Sequence, residues 1–233
     1  MSVKQKATFK KIDMPWATEA LEAKFDNALQ LLTPNCKIFG GALRDLVANL
    51  PILGDLDILI TSSEFATVRR AFAESPNWIL DTSKSTETYQ FTEFNRLRIA
   101  AVLNFKNVSN KVVQLIKIHN EDRVMEDDEI ILNNIKSVDI RCCGLMLDMN
   151  NNLYEVVPGA YQDCKDKELK LNTIVKDKCN QNKIVERINK LVDRGWINLI
   201  TDTELKLLNI VKTNNLQNSD NSAELITAWA ATN

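Results

Sequence analysis

The chain has 233 residues, of which 45% are hydrophobic, and a formal net charge of -2. A chain of this size buries a core of its own, as one large domain or as one domain with a small appendage. The near-neutral charge excludes a basic surface over the whole molecule, so any RNA partner has to contact a local positive patch.

The N-terminal part predicts an arm followed by a helix. Residues 1–13 contain four lysines among few apolar residues, which predicts a loosely held arm without the apolar core of a signal peptide. An apolar stripe predicts a helix over residues 17–32, which Thr33-Pro34-Asn35 ends.

A strand, a glycine turn and a helix follow in close succession. Residues 37–39 form a predicted strand, and residues 42–49 form a predicted helix. Between them, Gly40 and Gly41 permit a turn at which a phosphate can approach the backbone, and the N–H groups at the start of the helix point back at that turn. This order predicts a phosphate-binding site.

Two aspartates come next and point to a metal. Asp55 and Asp57 alternate with Leu56 and Ile58, so a strand here sends both carboxylates to one face of a sheet. Two adjacent carboxylates repel each other unless a cation lies between them. Oxygen ligands favour Mg2+, with Mn2+ as the alternative, and a metal beside a phosphate site indicates phosphoryl or nucleotidyl transfer.

The combined motif resembles a known family. Gly40-Gly41, thirteen further residues and Asp55-x-Asp57 resemble the nucleotidyltransferase signature of the DNA polymerase beta superfamily. With Arg44 and Asp45 included, the segment is most similar to the head domain of class II CCA-adding enzymes and poly(A) polymerases. The resemblance implies an α/β fold with a mixed sheet and flanking helices. It also implies transfer of a nucleoside monophosphate from an NTP to an acceptor hydroxyl.

The resemblance implies a role for each residue of the motif. Asp55 and Asp57 would be the catalytic metal ligands. The nucleotide would be bound by the turn glycines, Gly40 and Gly41, through their backbone N–H groups, and by Arg44 through its charge. Asp45 would position the nucleotide or brace Arg44, and an internal ion pair of the helix is the alternative.

The middle of the chain predicts one more helix and a hairpin. A helix that begins at Ser62 or Ser63 extends to Glu74, a short strand covers residues 78–80, and residues 81–95 are a predicted loop. Two β-type runs, residues 97–105 and 112–118, are joined by a turn-rich connection and predict a hairpin.

The second strand of the predicted hairpin contains the position that matches a third catalytic residue. In the related enzymes this strand supplies a third acidic residue, whereas the matching position here is the neutral Gln114. An amide oxygen binds Mg2+ weakly and cannot take a proton from an attacking hydroxyl. Gln114 is therefore an uncertain third site position, and Asp139 is the alternative source of a carboxylate.

A second zone of resemblance follows a predicted helix over residues 127–135. Residues 137–144 resemble the segment that contacts the nucleotide ribose in CCA-adding enzymes, with Asp139 as the clear match and Cys143 in place of an asparagine. A predicted strand over residues 153–157 follows, and Glu155 within it and Asp163 beyond it weakly match a further motif. A scaffold without catalytic duty is the alternative for this whole zone.

The last part of the chain is predicted to be helical. A helix over residues 183–194 has a broad basic face, from which Arg187 contacts a base or phosphate or faces solvent. Residues 201–204 form a capping box that opens another helix. A polar linker over residues 214–222 and a short helix over residues 223–230 complete the prediction.

These elements predict three parts: a flexible basic arm (1–13), a nucleotidyltransferase domain (14–178) and a helical appendage (179–233). The first hypothesis is a metal-dependent nucleotidyltransferase whose acceptor is RNA, such as a tRNA-like 3′ end. One alternative is a relative that binds nucleotide or RNA without catalysis. Another is a toxin or defence nucleotidyltransferase that modifies transfer RNA or a protein, with any antitoxin on a separate chain.

The cysteines and the hydropathy bear on location. Five cysteines are an odd number in a chain too long to need disulfides, which predicts reduced thiols. No apolar run approaches the length of a membrane span. We therefore expect a cytoplasmic protein without a membrane partner.

Overall fold

A mixed β-sheet forms the centre of the computed structural model, which describes residues 9–86, 98–120, 125–172 and 181–206. The strands are β1 (Lys10–Ile12), β2 (Lys37–Phe39), β3 (Leu56–Ile60), β4 (Ile79–Leu80), β5 (Ile99–Lys106), β6 (Val112–Ile118), β7 (Leu145–Asp148), β8 (Leu153–Glu155), β9 (Glu168–Leu169) and β10 (Ile197–Asn198). Eight of them form one sheet in the order β1-β8-β7-β2-β3-β6-β5-β4. Strands β3 and β6 are parallel, and the other neighbours are antiparallel.

Helices flank the sheet and bury its two faces. They are α1 (Ala17–Lys24), α2 (Gly41–Val47), α3 (Ser62–Glu74), α4 (Asp127–Lys136), α5 (Ala160–Asp166) and α6 (Gln181–Val192). Ile58 and Leu59, consecutive on β3, are both fully buried although they point to opposite faces of the sheet. Ile58 belongs to the main core, and Leu59 packs in a second core with isoleucines of α4. The predicted α/β class with a mixed sheet and flanking helices is confirmed.

The predicted helix over residues 17–32 is too long. Helix α1 ends at Lys24, and a separate 3-10 helix covers Ala28–Leu31. Between them, Asp26 and Asn27 have φ values of 48° and 59°. Short polar side chains tolerate this left-handed region better than most residues do, and the Asp26 carboxylate accepts a hydrogen bond from the Asn107 amide. This tertiary contact fixes the break.

The predicted loose arm over residues 1–13 is wrong for residues 10–12. These residues form β1, which pairs with β8 and buries Ile12, so pairing with the sheet overrides a polar local sequence. Residues 1–8 lie outside the described residues. The prediction also missed β7, which lies next to β2 in the sheet, and helix α5.

Most of the other predicted elements are confirmed within a residue or two. They are the helix that begins at Ser62, the hairpin of β5 and β6, and the helix at residues 127–135. The predicted strand over residues 153–157 ends at Glu155. The predicted loop is described only to residue 86, and the elements predicted over residues 214–230 lie outside the described residues.

The segment from α6 onward packs on the rest of the protein. Ile184, Ile188 and Leu191 are buried on the inner face of α6, as their spacing predicts. Strand β10 pairs in parallel with β9. The capping box is confirmed: Thr201 N donates to Glu204 Oε2 at 2.7 Å, and Glu204 N donates to Thr201 Oγ1 at 3.2 Å.

Two further expectations from the sequence meet the structure here. Four of the five cysteines are described and buried as free thiols, namely Cys36, Cys142, Cys143 and Cys164, and Cys179 lies outside the described residues. Among the helices in the described ranges, none combines the length and apolar character needed to cross a membrane.

Candidate active site

A row of polar side chains crosses three strands at the level of Asp57. Asp57 pairs with Phe39 of β2 on one side and with Gln114 of β6 on the other, and Gln114 pairs with Asn104 of β5. Residues directly opposite each other in paired strands present their side chains to the same face of a sheet. Asp57, Gln114 and Asn104 therefore share one face. Asp55 is exposed just before β3 begins.

The glycine turn lies against Asp57. Gly40 has a φ of 80° and a ψ of -142°, a backbone conformation that is almost restricted to glycine. A Cβ atom at this position would lie 3.0 Å from Asp57 Oδ2. Gly41 begins α2, and a Cβ atom built on it would lie 3.5 Å from the Arg44 guanidinium. The turn therefore brings bare backbone between a carboxylate and a guanidinium, where a phosphate group would find N–H donors.

The two carboxylates of the motif interact. Loss of contact with water raises the pKa of Asp57 well above its ordinary value, and the negative charge of Asp55 raises it further. Cys143 acts in the same direction, whereas Arg187 and Arg44 oppose it. The nearby guanidinium groups therefore do not offset the burial of Asp57 and its repulsion by Asp55, and a bound cation would stabilise the charged form of Asp57.

The residues around Asp57 fit a divalent cation with oxygen ligands. Within the described ranges, no group of three or more histidines, cysteines, aspartates or glutamates is arranged to hold a metal ion. Asp55 and Asp57 offer two carboxylates, and Gln114 adds an amide in the register that the sequence predicted. Mg2+ commonly takes one or two carboxylates and completes its shell with water and substrate phosphates.

Arg44 and Asp45 belong to a buried charge network that reaches the last part of the chain. Arg44 donates from Nε and Nη2 to Asp45 Oδ1 at 2.9 Å and 2.8 Å, and Arg194 Nη2 donates to Asp45 Oδ2 at 2.8 Å. The Trp196 ring lies beneath the Arg44 guanidinium, with 5.6 Å between Cζ and the ring centroid. Asp45 is fully buried and pairs with Arg44 inside α2, a contact that fits both the predicted brace for Arg44 and its alternative, an internal ion pair of the helix.

Arg187 and Asp139 form a second link between α6 and the sheet domain. Arg187 Nη1 donates to Asp139 Oδ2 at 2.6 Å and also contacts Oδ1. The Asp139 carboxylate accepts the backbone N–H of Ile140 as well, at 2.9 Å. The pair lies close enough to the candidate site for the Arg187 charge to lower the pKa of Asp57. The structure therefore brings Arg187 toward the predicted nucleotide site, and Asp139 is paired with Arg187.

Cys143 is a site residue that the sequence interpretation did not select. The Arg44 Nη1 atom donates to its Sγ at 3.5 Å. A hydrogen bond from the neighbouring Cys142 thiol lowers the pKa of Cys143, and the Arg44 and Arg187 charges lower it further against the opposing effect of burial. One indication of a role for Cys143 was available in the sequence, namely its position in the segment that resembles the ribose-contacting motif.

The weak match around Glu155 and Asp163 forms a structural brace. Asp163 is buried and accepts hydrogen bonds from Arg141 Nε at 2.5 Å and Arg141 Nη2 at 2.7 Å. Glu155 Oε1 accepts the backbone N–H of Tyr161 at 3.0 Å, in the first turn of α5. These contacts fix α5 to the sheet, which favours the interpretation of this zone as a scaffold.

The fold is similar to that of CCA-adding enzymes, a class of nucleotidyltransferase. The CCA-adding enzyme of Thermotoga maritima, solved in complex with tRNA, superposes with a TM-score of 0.57 over 88% of this chain at 15% identity. A CCA-adding enzyme in an apo form and one in complex with CTP each give a TM-score of 0.55 over 91% of this chain, at 15% and 13% identity.

The likeness is one of fold. This chain spans about half the length of the solved enzymes that it matches, between 46% and 49% of the three described above. No protein-family model matches the sequence. No curated protein matches it either.

Proposed function

We propose that this protein is a metal-dependent nucleotidyltransferase that moves a nucleoside monophosphate from an NTP to an acceptor hydroxyl. The observation that carries the proposal is the contact of the Gly40 turn with Asp57, with Asp55 and the Arg44 guanidinium nearby. Phosphoryl transfer needs a protein to position the phosphate groups and to stabilise their charge. Backbone N–H donors flanked by carboxylates for a metal and by a guanidinium group meet that need.

In this reaction the acceptor oxygen forms a bond to the α-phosphorus, the bond to the bridging oxygen breaks and pyrophosphate leaves, and the hydroxyl proton passes to water. Gly40 and Gly41 bind the triphosphate through their N–H groups. Arg44 and Arg187 neutralise its negative charge. Asp55 and Asp57 would hold Mg2+ or Mn2+, and the ion would supply positive charge for the triphosphate and for the entering and leaving oxygens.

RNA is the acceptor that we favour, with a tRNA-like 3′ end as the specific case. The fold likeness to enzymes solved with tRNA, CTP and ATP supports this choice. A toxin or defence enzyme that modifies transfer RNA or a protein would use the same site, with its antitoxin on a separate chain. The identity of the labelled acceptor separates these possibilities, and the cytoplasmic location stays a prediction.

The second candidate function is nucleotide or RNA binding without catalysis. Gln114 favours it, because this amide lies opposite Asp57 where the related enzymes carry an acidic residue. An amide cannot accept the proton of an attacking hydroxyl. A protein that binds NTP with Mg2+ but never consumes it would have this second function.

The deciding experiment is a transfer assay. The protein is incubated with each α-labelled NTP, Mg2+ and total cellular RNA or total protein, and the labelled species is identified on a gel. We expect labelling of RNA that is lost in Asp55→Asn and in Asp57→Asn, because each change removes metal-binding charge and keeps side-chain volume. Full labelling by either variant contradicts the role of these residues, and NTP binding without labelling supports the second function.

A further inference from the structure

Asn104 is a buried polar residue next to the candidate site. Its side chain is in the interior of the sheet domain, with 6% of the residue exposed. Asn104 Nδ2 donates to the backbone carbonyl oxygen of Lys84 at 2.7 Å, and Gln114 Nε2 donates to Asn104 Oδ1 at 3.0 Å. Two amides therefore form a chain of hydrogen bonds that begins at a backbone carbonyl group.

The direction of this chain follows from the chemistry of its first member. A backbone carbonyl oxygen only accepts hydrogen bonds, so Asn104 has to turn its nitrogen toward Lys84 and its oxygen toward Gln114. That oxygen also only accepts, so Gln114 has to turn Nε2 toward Asn104. The orientation of the Gln114 amide is thus set by a backbone atom two hydrogen bonds away.

The sheet order decides where the Gln114 oxygen points. Strand β6 lies between β3 and β5, so Asn104 and Asp57 flank Gln114 on opposite sides. With Nε2 committed to Asn104, the end of the amide on the Asp57 side is the carbonyl oxygen. An amide turned the other way would present N–H groups there, which cannot bind a cation.

The starting point of the chain is itself anchored. The backbone N–H of Asn104 donates to Ser85 Oγ at 2.9 Å, and Ser85 Oγ donates to the Asp81 carbonyl oxygen at 2.7 Å. Thr86 also pairs with Val102 on the neighbouring part of β5. The segment that carries the Lys84 carbonyl is therefore held against β5 by contacts that do not involve the Asn104 side chain.

We propose that Asn104 is a positioning residue that holds the Gln114 carbonyl oxygen toward Asp55 and Asp57, where it serves as a neutral third ligand for a divalent cation. The proposal rests on the function proposed above. Amide oxygens are accepted ligands of hard cations. An outer partner that fixes a ligand's orientation commonly contributes tenfold or more to metal affinity.

A double-mutant cycle tests the proposal through metal binding alone. Free Mn2+ is measured by electron paramagnetic resonance during titration of the wild type, Asn104→Leu, Gln114→Glu and the double variant. A carboxylate presents an oxygen whichever way it is turned, so Gln114→Glu removes the need for orientation. We expect Asn104→Leu to lower Mn2+ affinity about tenfold in the wild-type background and to have no such effect in the Gln114→Glu background.

A conservative variant separates orientation from structural damage. Asn104→Asp loses the donor to Lys84 and keeps an acceptor for Gln114 Nε2, so we expect it to bind Mn2+ no more weakly than the wild type does. The unfolding temperature without metal is recorded for every variant. The proposal is overturned by unchanged affinity in Asn104→Leu, by equal losses in both backgrounds, or by a tenfold loss in Asn104→Asp.

The outcome is distinguishable from that of the transfer assay. If the wild type binds Mn2+ and the double-mutant cycle gives the expected result, but no label is transferred, the positioning role of Asn104 is supported and the proposed reaction is contradicted. If label is transferred but Asn104→Leu has the same effect on Mn2+ affinity in both backgrounds, the proposed reaction is supported and the role of Asn104 is contradicted. A wild type that binds no Mn2+ and transfers no label overturns both, whereas one that transfers label without binding Mn2+ in the absence of NTP overturns only the role of Asn104.

Discussion

Replacement of Gly40 by alanine tests the contact on which the candidate site depends. A Cβ atom would lie 3.0 Å from Asp57 Oδ2, so the carboxylate would have to shift by a few tenths of an ångström. The backbone at Gly40 adds strain, because its φ of 80° and ψ of -142° disfavour any side chain. We expect a loss of about 1–3 kcal/mol in the free energy of unfolding. For a chain of this size that loss lowers the unfolding temperature by about 2–12 °C.

The assay combines stability with metal affinity. Urea unfolding gives the change in free energy, and Mn2+ titration gives the effect on the carboxylates. We expect Gly40→Ala to lower Mn2+ affinity about tenfold, because the displaced carboxylate is a proposed ligand. Gly54→Ala is the matched control: it lies in the same stretch of chain, and its Cβ would meet no atom within 4 Å.

Two results would refute this reasoning. Mn2+ affinity within twofold of the wild type in Gly40→Ala would show that the glycine turn does not fix Asp57. Equal losses in Gly40→Ala and Gly54→Ala would show that the whole stretch is sensitive and that the close approach of Gly40 to Asp57 has no special role.

Three further predictions follow from the charges of the site. Because the pKa of Asp57 is raised above its ordinary value of 3.8, the folded state binds a proton at Asp57 more tightly than the unfolded chain does, so the contribution of Asp57 to the stability of the metal-free protein should increase as the pH falls from 7. Asp57→Asn should flatten this dependence in urea unfolding, and an unchanged slope would contradict the assignment. Arg194→Met should lower the free energy of unfolding by about 1–3 kcal/mol, since it removes one of two guanidinium partners of the buried Asp45, and Lys190→Met, at an exposed position near the end of α6, should change it little. Arg187→Gln should change stability by less than about 1 kcal/mol because its ion pair is exposed, yet raise the KM for NTP; an unchanged KM would place Arg187 outside the nucleotide site.

The core of the candidate site could be predicted because its determinants are local. Gly40, Asp55 and Asp57 lie within 18 residues, and the alternation along β3 decides which side chains share a face. Gln114 could be placed as well, because the hairpin fixes the alternation of β6 and the structure confirms the register opposite Asp57.

The charge network could not be predicted, because its members are far apart in sequence. Arg194 and Asp45 are separated by 149 residues, and on a helical wheel Arg194 belongs to a basic face that looks solvated. The fold alone shows that this face meets a buried carboxylate. The proposed role of Asn104 could not be predicted either, because it depends on the position of the Lys84 carbonyl group, which lies in a segment without regular structure.

Secondary structure failed where tertiary contacts outweighed local preference. The sequence around Asp26 and Asn27 continues an apolar stripe, and the helix breaks where Asn107 of the hairpin connection donates a hydrogen bond to Asp26. Strand β1 contains two lysines among its three residues and exists because β8 offers it an edge.

The pairing of β9 with β10 limits how the site can respond to a nucleotide. Ile197 N donates to the Lys167 carbonyl oxygen at 2.8 Å, and Leu199 N donates to the Leu169 carbonyl oxygen at 3.1 Å. These backbone hydrogen bonds connect the segment that follows α6 to the segment that follows α5. A swing of α6 would break this ladder. For the proposed function, we therefore expect Arg187 to exchange Asp139 for an incoming phosphate by rotation about its own side-chain bonds rather than by a movement of α6.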